Sequence, residues 1–418
     1  MDKETKIRVI VTIILIGFVS GVFFHYIEGV YQSLPYPHNT FLFSPVDKFN
    51  DYFVLYDLMQ YRQPYTGAFQ SAQYPFLNFI SYVFGLLPRG ASFIIYLSLF
   101  LYIFLIFTIL YTYPDNPRKH ILEIFIITLL TYPILFTIDR GNLESLVLIS
   151  LFAFVYFYQK RKYLLSTLFL SFAIAMKLFP IVFLVLYLSD KKYKEIFLTG
   201  LLTGLLTIIS LLFFKGGLLE NLTLLVRGAN LAFENRFLGG DLIVQRGVSL
   251  FSFIKILLIE TDFIQKVDMA KFLGIYIITA AVVGFSIAAY VMFVEKEFWK
   301  KIAVLVIAML LLPQVSADYK LIHLFIPLYI FFDAPKSNRL DWVYILLFGL
   351  LVIPKDYYIL PKVTSDAFLN GHYVQDISIS VIINILIMLL MSALIIISGI
   401  KGYLLNLRCK IHPAETVL

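Results

Sequence analysis

The amino-acid sequence predicts an all-α membrane protein that crosses the bilayer many times. Of its 418 residues, 60% are hydrophobic and only 15% are charged, and the mean hydropathy is +0.85. This composition is typical of integral membrane proteins, whose helices need about 20 apolar residues to span the hydrocarbon core. Basic cytoplasmic loops account for the net charge of +7, so no nucleic-acid partner is expected.

Basic clusters between the apolar runs set the predicted topology. Short loops rich in Lys and Arg stay on the cytoplasmic side, and about 12 transmembrane helices with both termini inside place all of these clusters there. The whole chain, 1–418, is then a single membrane domain, with long outer loops at about 28–90 and 215–271. The apolar segment 74–88 fits this topology only if it is re-entrant or lies at the interface.

A single lysine, Lys177, lies in the middle of the apolar stretch 163–189. A cation at mid-span costs roughly 3 kcal/mol on insertion scales and usually marks a site. Basic clusters at 160–162 and 191–194 flank the stretch on both sides, which predicts a helical hairpin with Lys177 and Pro180 at its outer apex. The alternative is one long tilted helix whose lysine extends to the interface.

The first outer loop contains the candidate catalytic carboxylate. Apolar residues at helical spacing, including Tyr52 and Leu55, predict a short helix over 51–61 on the membrane surface. Asp51 would lie in its first turn, where the helix dipole favours an ionised carboxylate. Such a carboxylate beside a cavity can take a proton from an acceptor hydroxyl. The alternative is that Asp51 only caps the helix.

The stretch NDYFVLYDLMQYRQPY resembles the start of the GT-C glycosyltransferases of family 87, which are related to polyprenyl-phosphate-mannose-dependent mannosyltransferases. Asp51, Tyr52, Tyr56, Pro64 and Tyr65 match that family's pattern, and a Tyr-Pro pair follows them. The resemblance implies a GT-C-type helical bundle, with Asp51 as the general base and with Tyr56 and Tyr65 in contact with substrate.

Three later segments, in the order that the family shows, extend the resemblance over roughly 45–335. The second contains a Gly-x-Asn helix start and a Lys-x-x-Pro motif, carried here by Gly141, Asn142, Lys177 and Pro180, and the third is GVSLFSFIKIL, with Val248 near the position of a common amide. The fourth, LLPQVSADYKLIHLFIPL, departs from the pattern, because the family often has histidines directly after the Ser-x-Asp part. Here Tyr319 and Lys320 occupy those positions and His323 comes later, so no histidine role is carried over.

The resemblance implies an inverting transfer of a hexose, with mannose expected, from a polyprenyl-phosphate donor to a glycolipid or glycan acceptor. It places the enzyme in the bacterial inner membrane with its active site on the outer face. Lys177, Arg140 and Lys320 would bind the donor phosphate, and Asn142, Asp318 and Tyr319 would contact substrate. Two local alternatives stay open: Arg140 pairs with its neighbour Asp139, and Asn142 caps the following helix.

No cofactor is expected, because the sequence has no Asp-x-Asp motif and no histidine cluster with metal-ligand spacing. Two other classes of function remain open. A secondary transporter or lipid flippase would also use broken helices and a lysine at mid-span. An O-antigen polymerase or ligase would place arginines in large outer loops, as Arg227, Arg236 and Arg246 are placed.

Overall fold

A computed structural model describes residues 1–43, 48–60, 62–66, 73–232, 247–334, 340–360 and 378–411. In these ranges the chain is all-α, as predicted, and the only strand-like pairings are two isolated bridges. The helices are α1 (Lys3–Val30), α2 (Asn50–Met59), α3 (Pro75–Gly85), α4 (Arg89–Thr112), α5 (Ile121–Leu129), α6 (Tyr132–Arg140), α7 (Glu144–Gln159), α8 (Tyr163–Met176), α9 (Leu184–Ser189), α10 (Tyr193–Phe213), α11 (Gly217–Ala232), α12 (Leu250–Glu260), α13 (Met269–Phe293), α14 (Phe298–Leu311), α15 (Phe325–Phe332), α16 (Asp341–Val352) and α17 (Ser380–Ile411).

Five helices of the described chain are long and apolar enough to cross a membrane: α1, α4, α10, α13 and the part Ser380–Asn406 of α17. A sixth span results if Pro117–Leu129 and Tyr132–Arg140, which are bent by 55° at their junction, count as one. The chain is therefore an all-α membrane protein, but the predicted number of about 12 spans is not confirmed. Several of the predicted runs form shorter helices, such as α7 with 16 residues and α8 with 14.

The hairpin around Lys177 is confirmed. Helix α8 ends at Met176, Lys177 has an extended backbone, and a 3-10 turn over Phe179–Phe183 leads into α9. The Lys177 ammonium lies 2.7 Å from a carboxylate oxygen of Glu144, at the start of α7. At the other end of α7, the Tyr158 hydroxyl donates to Asp190, just after α9, at 2.7 Å. The chain therefore returns to its starting level after Lys177, and the single tilted helix is wrong.

Residues next to the basic clusters contact one another at the end of the bundle away from Lys177. The contacts are Tyr111 with Gln159, Tyr158 with Phe298, Ser189 with Lys301, and Trp299 with Phe331. The N-terminus joins this end, because the Met1 amino group lies 3.5 Å from a carboxylate oxygen of Asp341. This arrangement agrees with the prediction that the basic clusters 118–119, 160–162, 191–194 and 296–301 share one side, whereas the cluster 336–339 lies outside the described residues.

The segment 74–88 forms α3, which at 11 residues is shorter than the roughly 20 needed to span a bilayer. It packs against neighbouring helices through aromatic rings: Phe76 lies 5.7 Å from Phe172 of α8, and Phe79 lies 5.0 Å from Phe213 of α10. Helix α15 is buried along its whole length, and it forms the centre of the core with α14. In the loop 215–271, the segment GVSLFSFIKIL contributes to the short helix α12, and Arg236 and Arg246 lie outside the described residues.

Candidate active site

The first turn of α2 is held against the end of α6. The backbone N–H of Phe49, just before α2, donates to the carbonyl of Asp139 at 2.6 Å. Gly141 ends α6 with a φ of +63°, and a Cβ at this position would lie 2.8 Å from the Cβ of Tyr52. Only glycine accepts both this left-handed backbone and this close approach without strain. The turn therefore brings α2, with Asp51, directly beside the α6–α7 junction.

Both oxygens of the Asp51 carboxylate accept a hydrogen bond from this junction. Arg140 donates to Oδ1 and the amide of Asn142 donates to Oδ2, each at 2.7 Å. Asn142 also accepts the backbone N–H of Glu144 through Oδ1 at 2.9 Å. The amide of Asn142 therefore contacts both the first residue of α7 and the carboxylate of Asp51. The predicted helix is confirmed over Asn50–Met59, with Asp51 in its first turn, and Asp51 is part of a network rather than only a cap.

Glu144 is the residue that sequence reasoning missed. Its side chain is fully buried, and its two oxygens bind two different partners: Oε2 lies 2.7 Å from Nζ of Lys177, and Oε1 lies 2.7 Å from Nε2 of His323. A buried carboxylate is costly unless it is paired and hydrogen-bonded. The signal in the sequence was a single acidic residue at the start of the apolar run after Asn142.

Lys177 and Lys320 lie close to aromatic rings beside Glu144. The Lys177 ammonium lies 5.6 Å from the centroid of the Tyr319 ring, and the Lys320 ammonium lies 4.5 Å from that of Phe179. Lys320 is buried and donates to the carbonyl of Val315 at 3.1 Å. The structure thus brings Lys177, Tyr319 and Lys320 together, as expected for one substrate site.

His323 is buried, and its ring meets Phe179 edge-on at 5.7 Å. Its Nε2 contacts Glu144, whereas its Nδ1 has no hydrogen-bond partner in the described structure. The histidine that comes late in the fourth segment therefore reaches the same cluster as Lys177, three residues beyond Lys320.

Asp318 lies beside the cluster on the α6 side. Its Oδ2 accepts a hydrogen bond from the Tyr132 hydroxyl at 3.4 Å, and the hydroxyl of Thr137 donates to the carbonyl of Tyr319 at 3.3 Å. Helix α6 therefore contacts the fourth segment along its length and contacts Asp51 at its end.

Tyr56 and Tyr65 occupy a different place from the charged cluster. The Tyr56 hydroxyl donates to the carbonyl of Leu87 at 2.8 Å, between α3 and α4. Tyr65 is fully buried, accepts from Asn78 at 3.2 Å and has a pKa that burial raises to about 12. Both contacts are part of the packing of the loop on α3 and α4, and the role of these two tyrosines in substrate binding stays a prediction.

The third segment joins the site through a short antiparallel pairing with the fourth. Gly247 pairs with Ala317, and the backbone N–H of Val248 donates to the carbonyl of Ser316 at 2.7 Å. Ser249, which caps α12, donates to the carbonyl of Gln314 at 3.2 Å. The four segments noted in the sequence therefore converge on one region of the fold.

The charged residues of this region form one cluster. Asp51, Arg140, Glu144 and Lys177 all act electrostatically on the Tyr319 hydroxyl. Lys320 adds a third cation, and the buried carboxylates of Asp139 and Asp318 lie at the edges of the same region. Among the described residues, no group of three or more His, Cys, Asp or Glu side chains could hold a metal ion.

The sequence matches the family model of glycosyltransferase family 87 over residues 74–316. The match includes Arg140, Asn142, Glu144 and Lys177, whereas Asp51 and the residues 318–323 lie outside it. No curated protein and no solved structure matches the chain significantly.

Proposed function

Because the chain belongs to glycosyltransferase family 87, we propose that it transfers a hexose, with mannose expected, from a polyprenyl-phosphate donor to a hydroxyl of a glycolipid or glycan. The reaction takes place at the outer face of the membrane and inverts the anomeric carbon. The family assignment supports this glycosyl transfer over the transporter and flippase alternatives.

The position of Asp51 is the observation that carries the proposal. Each of its carboxylate oxygens accepts one hydrogen bond, from Arg140 or from Asn142, and a carboxylate oxygen can accept a second one. An acceptor hydroxyl that binds there gives its proton to Asp51 while its oxygen forms the bond to the anomeric carbon. The bond from that carbon to the phosphate oxygen breaks, and its electron pair leaves with the phosphate.

The cations beside Glu144 are suited to the departing polyprenyl phosphate. Lys177 contributes one ammonium group, and its side chain is 12% exposed. Lys320 contributes a second ammonium group, which is buried. Interactions with preorganised charges become stronger as negative charge builds on the leaving group, which lowers the barrier. Arg140 donates a hydrogen bond to Asp51 at 2.7 Å, and this contact supports a role in orienting the base.

The orientation of the bundle supports an outer-face site and a lipid-borne donor. The cluster lies at the start of α7 and the end of α8, whereas the basic turns 160–162 and 191–194 lie at the opposite ends of these helices. Since basic turns stay in the cytoplasm, the cluster faces outward, where nucleotide-sugars are scarce. The sequence also has no glycine-rich nucleotide loop that leads into a helix.

The decisive assay uses the purified full-length protein in lipid vesicles. It is supplied with polyprenyl-phospho-mannose, or with a nucleoside-diphosphate hexose in a parallel reaction, and with glycolipid and free glycan acceptors. We expect hexose transfer and release of polyprenyl phosphate only in the first reaction. Transfer from the nucleotide-sugar alone would refute both the donor and the roles given to Lys177 and Lys320.

A further inference from the structure

A second buried polar group lies where α16 and α17 meet. After α16 ends at Val352, the Lys355 ammonium donates to the carbonyls of Leu350 and Ile353 at 2.5 and 2.8 Å. The neighbouring carboxylate of Asp356 accepts the hydroxyl of Ser380 through Oδ1 at 2.9 Å. Ser380 is the first residue of α17, so these contacts attach the start of that helix to the end of α16.

Polar atoms at this junction are buried without a hydrogen-bond partner in the described structure. They are Oδ2 of Asp356 and both polar atoms of Asn384, whose side chain is fully buried. Asn384 lies four residues after Ser380, which places both side chains on one face of α17, the face that meets Asp356. An apolar bundle provides no water for such groups, so leaving them unpaired is unfavourable. Their arrangement indicates a ligand with hydroxyl groups.

This group is connected with the active site through Asp318. Lys355 follows α16, which packs against the 3-10 turn that begins at Asp318. Asp318 accepts from Tyr132 at the start of α6, and Arg140 at the end of α6 bonds Asp51. The nine residues from Tyr132 to Arg140 span eight rises, or about 12 Å along the helix, which is longer than one sugar ring. A ligand that reaches from this group to Asp51 therefore contains more than one sugar.

We infer that Asp356, Ser380 and Asn384 bind the carbohydrate part of the acceptor, beyond the sugar that receives the hexose. The chemistry fits, because a carboxylate accepts from hydroxyl groups and an amide both donates and accepts, as adjacent sugar hydroxyls require. This inference rests on the proposed function for the identity of the ligand as an acceptor, but the binding of a saccharide can be measured independently.

The test is the substitution Asn384→Leu, which keeps the side-chain volume and removes both unpaired atoms. Replacing an unpaired buried amide with an apolar side chain removes its desolvation cost. The thermal unfolding midpoint of this variant should therefore be unchanged or higher. In the vesicle assay with glycolipids that carry one, two or three sugars, we expect the KM of the longer acceptors to rise at least tenfold. Hydrolysis of polyprenyl-phospho-mannose to free sugar should continue at the wild-type rate. Asp356→Asn should give the same KM effect.

The matched control is Asn221→Leu, at a buried asparagine of α11 whose amide donates to the carbonyls of Leu211 and Phe214. This change should lower the unfolding midpoint and leave the acceptor KM unchanged. Binding of mannose, glucose and galactose disaccharides, measured by saturation-transfer NMR, should be lost in Asn384→Leu whether or not the donor turns over. Wild-type saccharide binding and acceptor KM in both the Asn384 and Asp356 variants would overturn the inference and leave a water site only.

Discussion

The substitution Asp51→Asn separates the chemistry of the carboxylate from its shape. A positioned general base contributes about 10² to 10⁴ in rate, which corresponds to about 2.7–5.4 kcal/mol of barrier height. We therefore expect the rate of transfer to fall by this factor, with little change in the KM of the donor. The amide also keeps only one oxygen for the two donors Arg140 and Asn142, so one 2.7 Å contact is lost. Because Asp51 is 24% exposed in its side chain, the cost in stability should lie at or below the roughly 1.5–3 kcal/mol of a charged hydrogen bond.

Asp57→Asn is the matched control, because it makes the same chemical change on the same helix. Asp57 also pairs with an arginine, Arg89, at 3.0 Å, but the two side chains are 59% and 56% exposed. Exposed pairs of this kind contribute about 0–1 kcal/mol, so this variant should keep its activity. The assay is single-turnover transfer from polyprenyl-phospho-mannose, with thermal unfolding measured on the same samples. Equal activity of the two variants would refute the assignment of Asp51 as the base.

Three other predictions follow from the same contacts. Lys177→Ala should raise the KM of the donor about 10- to 100-fold, which corresponds to the loss of one charged hydrogen bond. Lys177→Arg should lower the KM again in part, and an equal KM in both variants would show that the charge is not what matters. Glu144→Gln should lower the free energy of unfolding by about 3–5 kcal/mol, because it leaves Lys177 without its counter-charge. The double variant Glu144→Gln/Lys177→Met should recover much of this loss. A double variant that is no more stable than Glu144→Gln would contradict the charge pair. In a Cys409→Ser background, cysteines at Asn50 and Asn230, both exposed, should react with an impermeant thiol reagent in intact cells and one at Lys160 should not; the reverse pattern would invert the topology.

The sequence was sufficient for the features that depend on local patterns. Composition predicts the all-α membrane class, and basic flanks on both sides of one apolar stretch predict the hairpin at Lys177. The count of spans was not predictable in the same way, because hydropathy does not distinguish a long spanning helix from a short helix buried inside the bundle. Helix α15, with eight residues that are all buried, is such a case.

The partners within the site depend on tertiary packing, which the sequence does not display. Glu144 meets Lys177 across 33 residues of chain and His323 across 179. Seen alone, Glu144 is an ordinary acidic residue in the first turn of a helix, and His323 departs from the expected spacing. Arg140 likewise contacts Asp51, 89 residues away, a partner that its position next to Asp139 does not indicate. Contacts of this kind arise only when α2, α6 and α7 are assembled.

The site also shows how a membrane bundle can hold several charges. Each charged group lies at an end or a break of a helix: Asp51 in the first turn of α2, Arg140 at the end of α6, Glu144 at the start of α7 and Lys177 just after α8. Irregular backbone at membrane depth is tolerated where it is buried in protein or lines a cavity, and charged side chains there need partners. The site therefore depends on the short helices. In an unbroken span through position 177, the Lys177 ammonium would lie among apolar neighbours and would lose its contact with Glu144. The proposed donor, a polyprenyl phosphate with one end in the bilayer and one charged end, fits a site built at such a break.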